Sequence, residues 1–135
     1  MKKIGILALA AVAGSCAPSP PNPAMIAREQ AHFAQLTADK VAGPPRSCIP
    51  SWRADDMIVI DDNTIAFRDR PSRLYVNHMQ SGCLGIDHGR NALITRTTST
   101  ELCRGDIAQV LDTAAHMVVG SCVFGDFVPY IRPGG

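Results

Sequence analysis

Met57-Ile58-Val59-Ile60-Asp61-Asp62-Asn63-Thr64-Ile65-Ala66-Phe67-Arg68 is the stretch that decides the fold. Two short runs rich in β-branched residues flank Asp61-Asp62-Asn63, which predicts an antiparallel hairpin with a three-residue polar turn. The same texture continues downstream. Residues 73–78 predict a third strand, with Leu74, Val76 and His78 on one face and Arg73, Tyr75 and Asn77 on the other. Residues 91–98 predict a fourth, 107–111 and 117–124 a second hairpin, and 127–131 the closing strand. Strands with no long helix between them predict a mainly β fold, a small antiparallel barrel or sandwich of six to seven strands preceded by one N-terminal helix.

That helix is expected over residues 24–41, which contain no Gly or Pro. Ala27, Ala31, Ala34, Ala38 and Val41 fall at three- and four-residue steps, flanked by Ile26 and Phe33. Alanine buries little area, so the segment 24–43 reads as a partly mobile helical stalk, stopped by Gly43-Pro44-Pro45. A β domain over 46–133 follows.

A domain of that size keeps only a narrow stability margin and needs staples. Cys48, Cys83, Cys103 and Cys122 supply an even number, and two disulfides are expected. Three connectivities exist. The favoured one joins Cys83 to Cys103 across the irregular middle segment and Cys48 to Cys122 between the first strand and the last hairpin. Spacings of 35, 20 and 19 residues contain no close pair of the kind structural zinc sites use.

The N-terminus reads as an address. Met-Lys-Lys, ten apolar residues and Gly14-Ser15 before Cys16 have the layout of an export signal over residues 1–15. The apolar run is too short to span a bilayer, which takes roughly 20 residues. Ala13-Gly14-Ser15-Cys16 resembles the lipobox of bacterial lipoproteins, which implies lipidation of Cys16; Ala13 departs from the usual Leu or Val. Ala17 is not the Asp of the inner-membrane retention signal, so the resemblance implies the periplasmic face of the outer membrane. Residues 16–23, with four prolines, read as an extended tether of about 25 Å at about 3.1 Å per residue.

Composition narrows the function classes. Losing Lys2 and Lys3 with the leader takes the basic residues from 13 to 11, against 12 acidic. That balance lacks the basic footprint of a nucleic-acid binder, and aromatics at 5% give few stacking platforms. No nucleophile elbow, phosphate loop or haem attachment sequence is present, so neither catalysis nor a cofactor is expected. His78, Asp87 and His88 are the candidate ligand-binding residues, able to hold a small ligand or a metal if the fold brings them together. The four acidic residues Asp55, Asp56, Asp61 and Asp62 read as a solvated turn. Arg68, Arg70 and Arg73 gather at one hairpin connection, where guanidinium groups can meet phosphate or a partner's carboxylates.

Cys48-Ile49, Val59 through Phe67, Tyr75-Val76-Asn77, Cys83, Leu102-Cys103-Arg104-Gly105-Asp106 and Cys122-Val123-Phe124-Gly125-Asp126-Phe127 resemble, in this order, a family of small exported four-cysteine bacterial proteins or lipoproteins. That family is classed only as a domain of unknown function. The resemblance covers about 80 residues. It implies a lipoprotein or secreted domain, commonly with two disulfides, and no established catalytic residues. The expected protein is therefore a lipid-anchored periplasmic envelope protein, non-enzymatic, held to the membrane by its anchor and contacting an envelope protein, peptidoglycan or lipid. The alternative is a small-ligand or metal-binding module built on the His78, Asp87 and His88 trio.

Overall fold

The computed structural model describes residues 20, 22–86 and 90–134. The leader, Cys16 and the pair Asp87 and His88 lie outside the described residues. The helix α1 (Pro23–Thr37) begins as its sequence dictates, with Pro23 at its first turn and the Asn22 side chain accepting the Ala24 N–H at 3.0 Å. It ends four residues before Val41, because Val41–Ala42 form a strand, β1.

Among the described residues nine more strands follow: β2 (Cys48–Pro50), β3 (Met57–Asp61), β4 (Thr64–Arg70), β5 (Arg73–His78), β6 (Asn91–Thr95), β7 (Glu101–Cys103), β8 (Ile107–Asp112), β9 (Met117–Val123) and β10 (Phe127–Ile131). All seven expected strands are present. The three additional ones, β1, β2 and β7, have two or three residues each, too few for any periodicity to show. The β3–β4 turn is one residue tighter than expected, since Asp61 pairs with Thr64 and its Oδ1 accepts the Asn63 N–H at 2.7 Å.

Strands β1-β10-β5-β4-β3 form a five-stranded antiparallel sheet, β6-β8-β9 a three-stranded one and β2-β7 a two-stranded one. The sheets do not close into a barrel. The main core lies between them: Ile65, Phe67, Tyr75 and Phe127 of the large sheet meet Ala108, Val110 and Cys122 of the small one, with Ile49 and Leu102 beside them. Phe67, Phe124 and Phe127 stack within it at ring separations of about 6 Å (6.1, 6.1 and 5.9 Å). The opposite face of the large sheet carries a second cluster of Ile60, Ala66, Leu74 and Val76, covered by Phe33 and Leu36 of α1. Strands β4 and β5 are thus buried on both faces, and Tyr75 and Asn77 lie inside as fully as Leu74 and Val76.

Two expectations are corrected here. The segment over 24–43, read as a partly mobile helical stalk, is packed instead: Phe33 meets Tyr130 edge-on at 5.8 Å and the helix lies on the sheet. Its docking stripe is Ile26, Glu29, Phe33 and Leu36, while Ala27, Ala31, Ala34 and Ala38 face solvent. The larger side chains win because burial is proportional to apolar area. The disulfides are Cys48–Cys103 and Cys83–Cys122, not Cys48–Cys122 and Cys83–Cys103. Cys48 and Cys103 stand directly opposite each other in the β2–β7 ladder. Cys83 reaches Cys122 because its N–H bonds to the Asp62 carbonyl and Ser81 bridges to Val123.

The end of α1 is tied down by charge. Asp39 accepts from Lys40 Nζ at 2.6 Å and from Arg132 Nε at 2.6 Å, and these partners, Lys40 foremost, lower its pKa from 3.8 to about 2. The folded carboxyl is the stronger acid, so this contribution is present above pH 3.8 and is lost as pH falls toward 2. A carbon-13 titration of the Asp39 carboxyl is expected to show a midpoint near 2 that moves up toward 3.8 in Arg132→Gln. A midpoint unchanged by that substitution would disprove the tie.

Candidate functional site

His78 ends β5 and is exposed, on the face that α1 covers. Its Nδ1 stands 3.4 Å from Thr64 Oγ1 on the neighbouring strand. Around it lies a groove of about 260 Å³ between α1 and the ends of β3, β4 and β5. Ile26, Phe33 and Ile60 make its apolar floor, and Glu29, Asp61 and His78 stand on its polar rim. Two carboxylates over an apolar floor suit a small cationic amphiphile. Glu29 was not singled out in the sequence and Asp61 only as part of a solvated acidic turn: docking of the helix alone brings residues 29 and 61 to one place. Asp87 and His88, expected beside His78, lie outside the described residues. Among the described residues no metal-ligating trio includes His78.

The three arginines do not form one patch. Arg68 pairs with Asp56 at 3.2 Å, and with Arg70 it borders a gap against the end of α1 that also holds Asp39 and Lys40. Arg73 turns instead to Asp69, at 3.6 Å, which also faces Arg53 at 3.5 Å. Arg53 in turn donates to the Tyr75 hydroxyl at 2.8 Å. The β4–β5 register shifts between Arg68 and Arg70, which places Arg70 opposite Arg73 and leaves Asp69 out of the ladder pairing. Asp69 is 89% buried by its side-chain exposure of 11%, and both arginines beside it are partly exposed. Asp69→Ala leaves two guanidinium groups facing each other and is expected to cost about 2 kcal/mol, below the range for a fully buried pair. Urea unfolding checks this; an unchanged midpoint would show that Asp69 holds neither arginine.

The acidic turn is likewise occupied by local bonding. Asp56 is the partner of Arg68, and Asp61 closes its own turn. His116 adopts a left-handed conformation (φ 54°) in the β8–β9 turn, which Asp112 closes by accepting the Ala114 and Ala115 N–H groups.

The remaining feature is a surface. On β8, Ala108 and Val110 point into the core while Ile107 and Gln109 point outward, and the register puts Ile94 of β6 and Ser121 of β9 on that outer face. Ile107 is 60% exposed and Val118 51%, with Met117, Val119 and Ile94 also open to solvent. Strand β9 ends the small sheet, and residues 117–123 carry no charge or proline. Period-two patterning could not reveal this, because β9 is apolar on both faces and only one can be inside.

Helix, large sheet, core and small sheets make up a disulfide-stapled β-sandwich with one helix layered on its outer side. The chain belongs to the Family of unknown function (DUF6491), whose model matches residues 1–124. The match takes in the N-terminal segment and stops before Gly125-Asp126-Phe127, the end of the last stretch on which the resemblance was read. No curated protein and no solved structure matches the chain. Among the described residues, no helix is long and apolar enough to cross a membrane.

Proposed function

We propose that this is a lipid-anchored periplasmic envelope protein that acts by binding another envelope protein rather than by catalysis. The reading of residues 1–15 as a lipoprotein leader cut just before Cys16 supports the anchor, with the outer membrane as its location and palmitate among its acyl chains. The observation that carries the binding role is the open apolar face of β6, β8 and β9. Exposed apolar patches of that kind mark contact surfaces. A protein partner fits better than peptidoglycan or lipid, since residues 117–123 offer neither charge for headgroup phosphates nor more than one hydroxyl for sugars.

The test is labelled-palmitate incorporation into wild type and Cys16→Ala, with a photo-crosslinker at position 118 and, as control, at Ala34. Label lost in Cys16→Ala, and one protein captured from position 118 alone whose purified form fails to bind Val118→Asp, support the reading. An unacylated, soluble wild type overturns the anchor. Equal capture from both positions, or none, overturns the binding face.

The groove beside His78 favours a second reading, a small-ligand module. An aliphatic amine that raises Tm in wild type but not in Glu29→Gln would support it, and equal shifts in both would refute it.

A further inference from the structure

Cys48, Glu101 and Cys103 share one face of the two-stranded sheet. Residues 101 and 103 are two apart on β7, so they point the same way, and Cys48 on β2 stands opposite Cys103. The two sulfurs and a Glu101 carboxylate oxygen all lie within 4.8 Å of one another. Ile49 and Leu102, the residues between, point the other way into the core. The two disulfides therefore differ in surroundings. Cys83 and Cys122 are 0% and 1% exposed, whereas Cys48 and Cys103 are partly open beside an exposed carboxylate. A dissolved thiol can reach only the second pair without opening the core, and access is one of the factors that set exchange rate.

We propose that Cys48, Cys103 and Glu101 form a site for a thiophilic divalent cation such as zinc, closed while the sulfurs are bonded to each other and opened by a dithiol reductant. In the opening step a thiolate of the reductant attacks one sulfur, the protein S–S bond breaks and a mixed disulfide forms. The reductant's second thiolate then displaces that cysteine. Two electrons pass to the protein, the reductant leaves as a cyclic disulfide, and both cysteines take up protons. Cation binding releases those two protons to solvent as the thiolates coordinate. Two soft sulfurs and one carboxylate oxygen occupy three positions of a tetrahedron, and water takes the fourth.

The geometry does not depend on the S–S bond. The Ser51 N–H donates to the Thr100 carbonyl at 2.9 Å, and the Arg104 N–H to the Ser47 carbonyl at 2.7 Å, one contact at each end of the ladder. Asp106 Oδ2 accepts the Cys103 N–H at 2.8 Å, and Ile49 and Leu102 anchor the strands from below. Reduction leaves these contacts in place and the two thiols side by side. The inference is independent of the anchored-binding reading, since it concerns a different face and holds for soluble protein.

The experiment treats the full-length chain carrying Cys16→Ala, so that four cysteines remain, with dithiothreitol under native conditions, removes the reagent under inert gas, and titrates with cobalt(II) as a spectroscopic stand-in for zinc. Alkylation and peptide mass mapping are run in parallel. The expected result is alkylation at Cys48 and Cys103 with Cys83–Cys122 intact, and a one-to-one cobalt complex with a thiolate-to-metal band. Glu101→Gln, an exposed substitution, is expected to keep the alkylation pattern and weaken cobalt binding by about tenfold or more, the scale on which even outer-shell changes act. Four cysteines reacting together would overturn the proposal. So would two free thiols without the cobalt band, or Glu101→Gln binding as tightly as wild type.

Discussion

Replacing both Cys83 and Cys122 with alanine is expected to lower the unfolding free energy by about 4 kcal/mol, from the chain entropy that a cross-link over this separation removes from the unfolded state. The two residues are 39 apart in sequence. Both sulfurs lie in the main core, so the substitution also removes packed atoms where the surroundings cannot easily collapse. Alanine avoids burying a new hydroxyl. Against a total of about 5–15 kcal/mol for a domain, the loss is large enough to bring unfolding near body temperature. Equilibrium urea unfolding of the double variant under oxidising conditions checks it. A change smaller than about 1 kcal/mol, the ordinary effect of one substitution, would show that the bridge is not a staple.

Gly125→Ala is expected to cost roughly 3–5 kcal/mol, as an overpacking term and a hydrogen-bonding term combined. A Cβ on Gly125 would lie 2.1 Å from the His78 carbonyl oxygen and 3.2 Å from its carbon, backbone atoms that cannot swing aside. The site is also the anchor of Asn77, fully buried, whose Nδ2 donates to the Gly125 carbonyl at 2.8 Å and whose Oδ1 accepts the Gly125 N–H at 2.9 Å. Moving the chain to admit a methyl group breaks this two-point contact and leaves buried polar groups unpaired. The measurement is the same urea titration, together with hydrogen exchange of the Gly125 amide, which is expected to lose protection. A variant within about 1 kcal/mol of wild type, with the amide still protected, would show that Gly125 is not in the tight contact described.

Much of the fold could be read along the chain, and particular residues show where reading stopped. The runs 57–60 and 64–68 are β-branched enough, and 73–78 alternates clearly enough, to announce strands without help from neighbours. Cys48-Ile49-Pro50 is not; it is a strand only because Glu101-Leu102-Cys103 lies beside it. The same dependence explains the disulfides. Four cysteines in one small domain announce bridges, but which sulfurs meet is set by the pairing of β2 with β7 and by the loop that carries Cys83 past Asp62.

The candidate site followed a similar division. His78 was recognisable as a strand-end histidine on the face shared with Leu74 and Val76, and it lies there. Its companions in the groove, Glu29 and Asp61, come from a helix and a strand that no local pattern relates. The arginines at positions 68, 70 and 73 looked like one cluster because they are near in sequence. Asp69, which also faces Arg53, draws Arg73 away, and Asp56 takes Arg68.

By itself the sequence determined the class of fold, the positions of the seven longer strands, the start of the helix and the presence of two disulfides. These follow from local causes: side-chain branching, period-two patterning, proline and asparagine at the helix start, and an even cysteine count. The tertiary structure alone decided which face of the helix is buried, which cysteines pair, which apolar strand face stays open to solvent, and which polar groups meet at the groove. Each of those outcomes is a competition between surfaces distant along the chain, settled by how much apolar area and how many hydrogen bonds each arrangement secures, and no local stretch carries both sides of it.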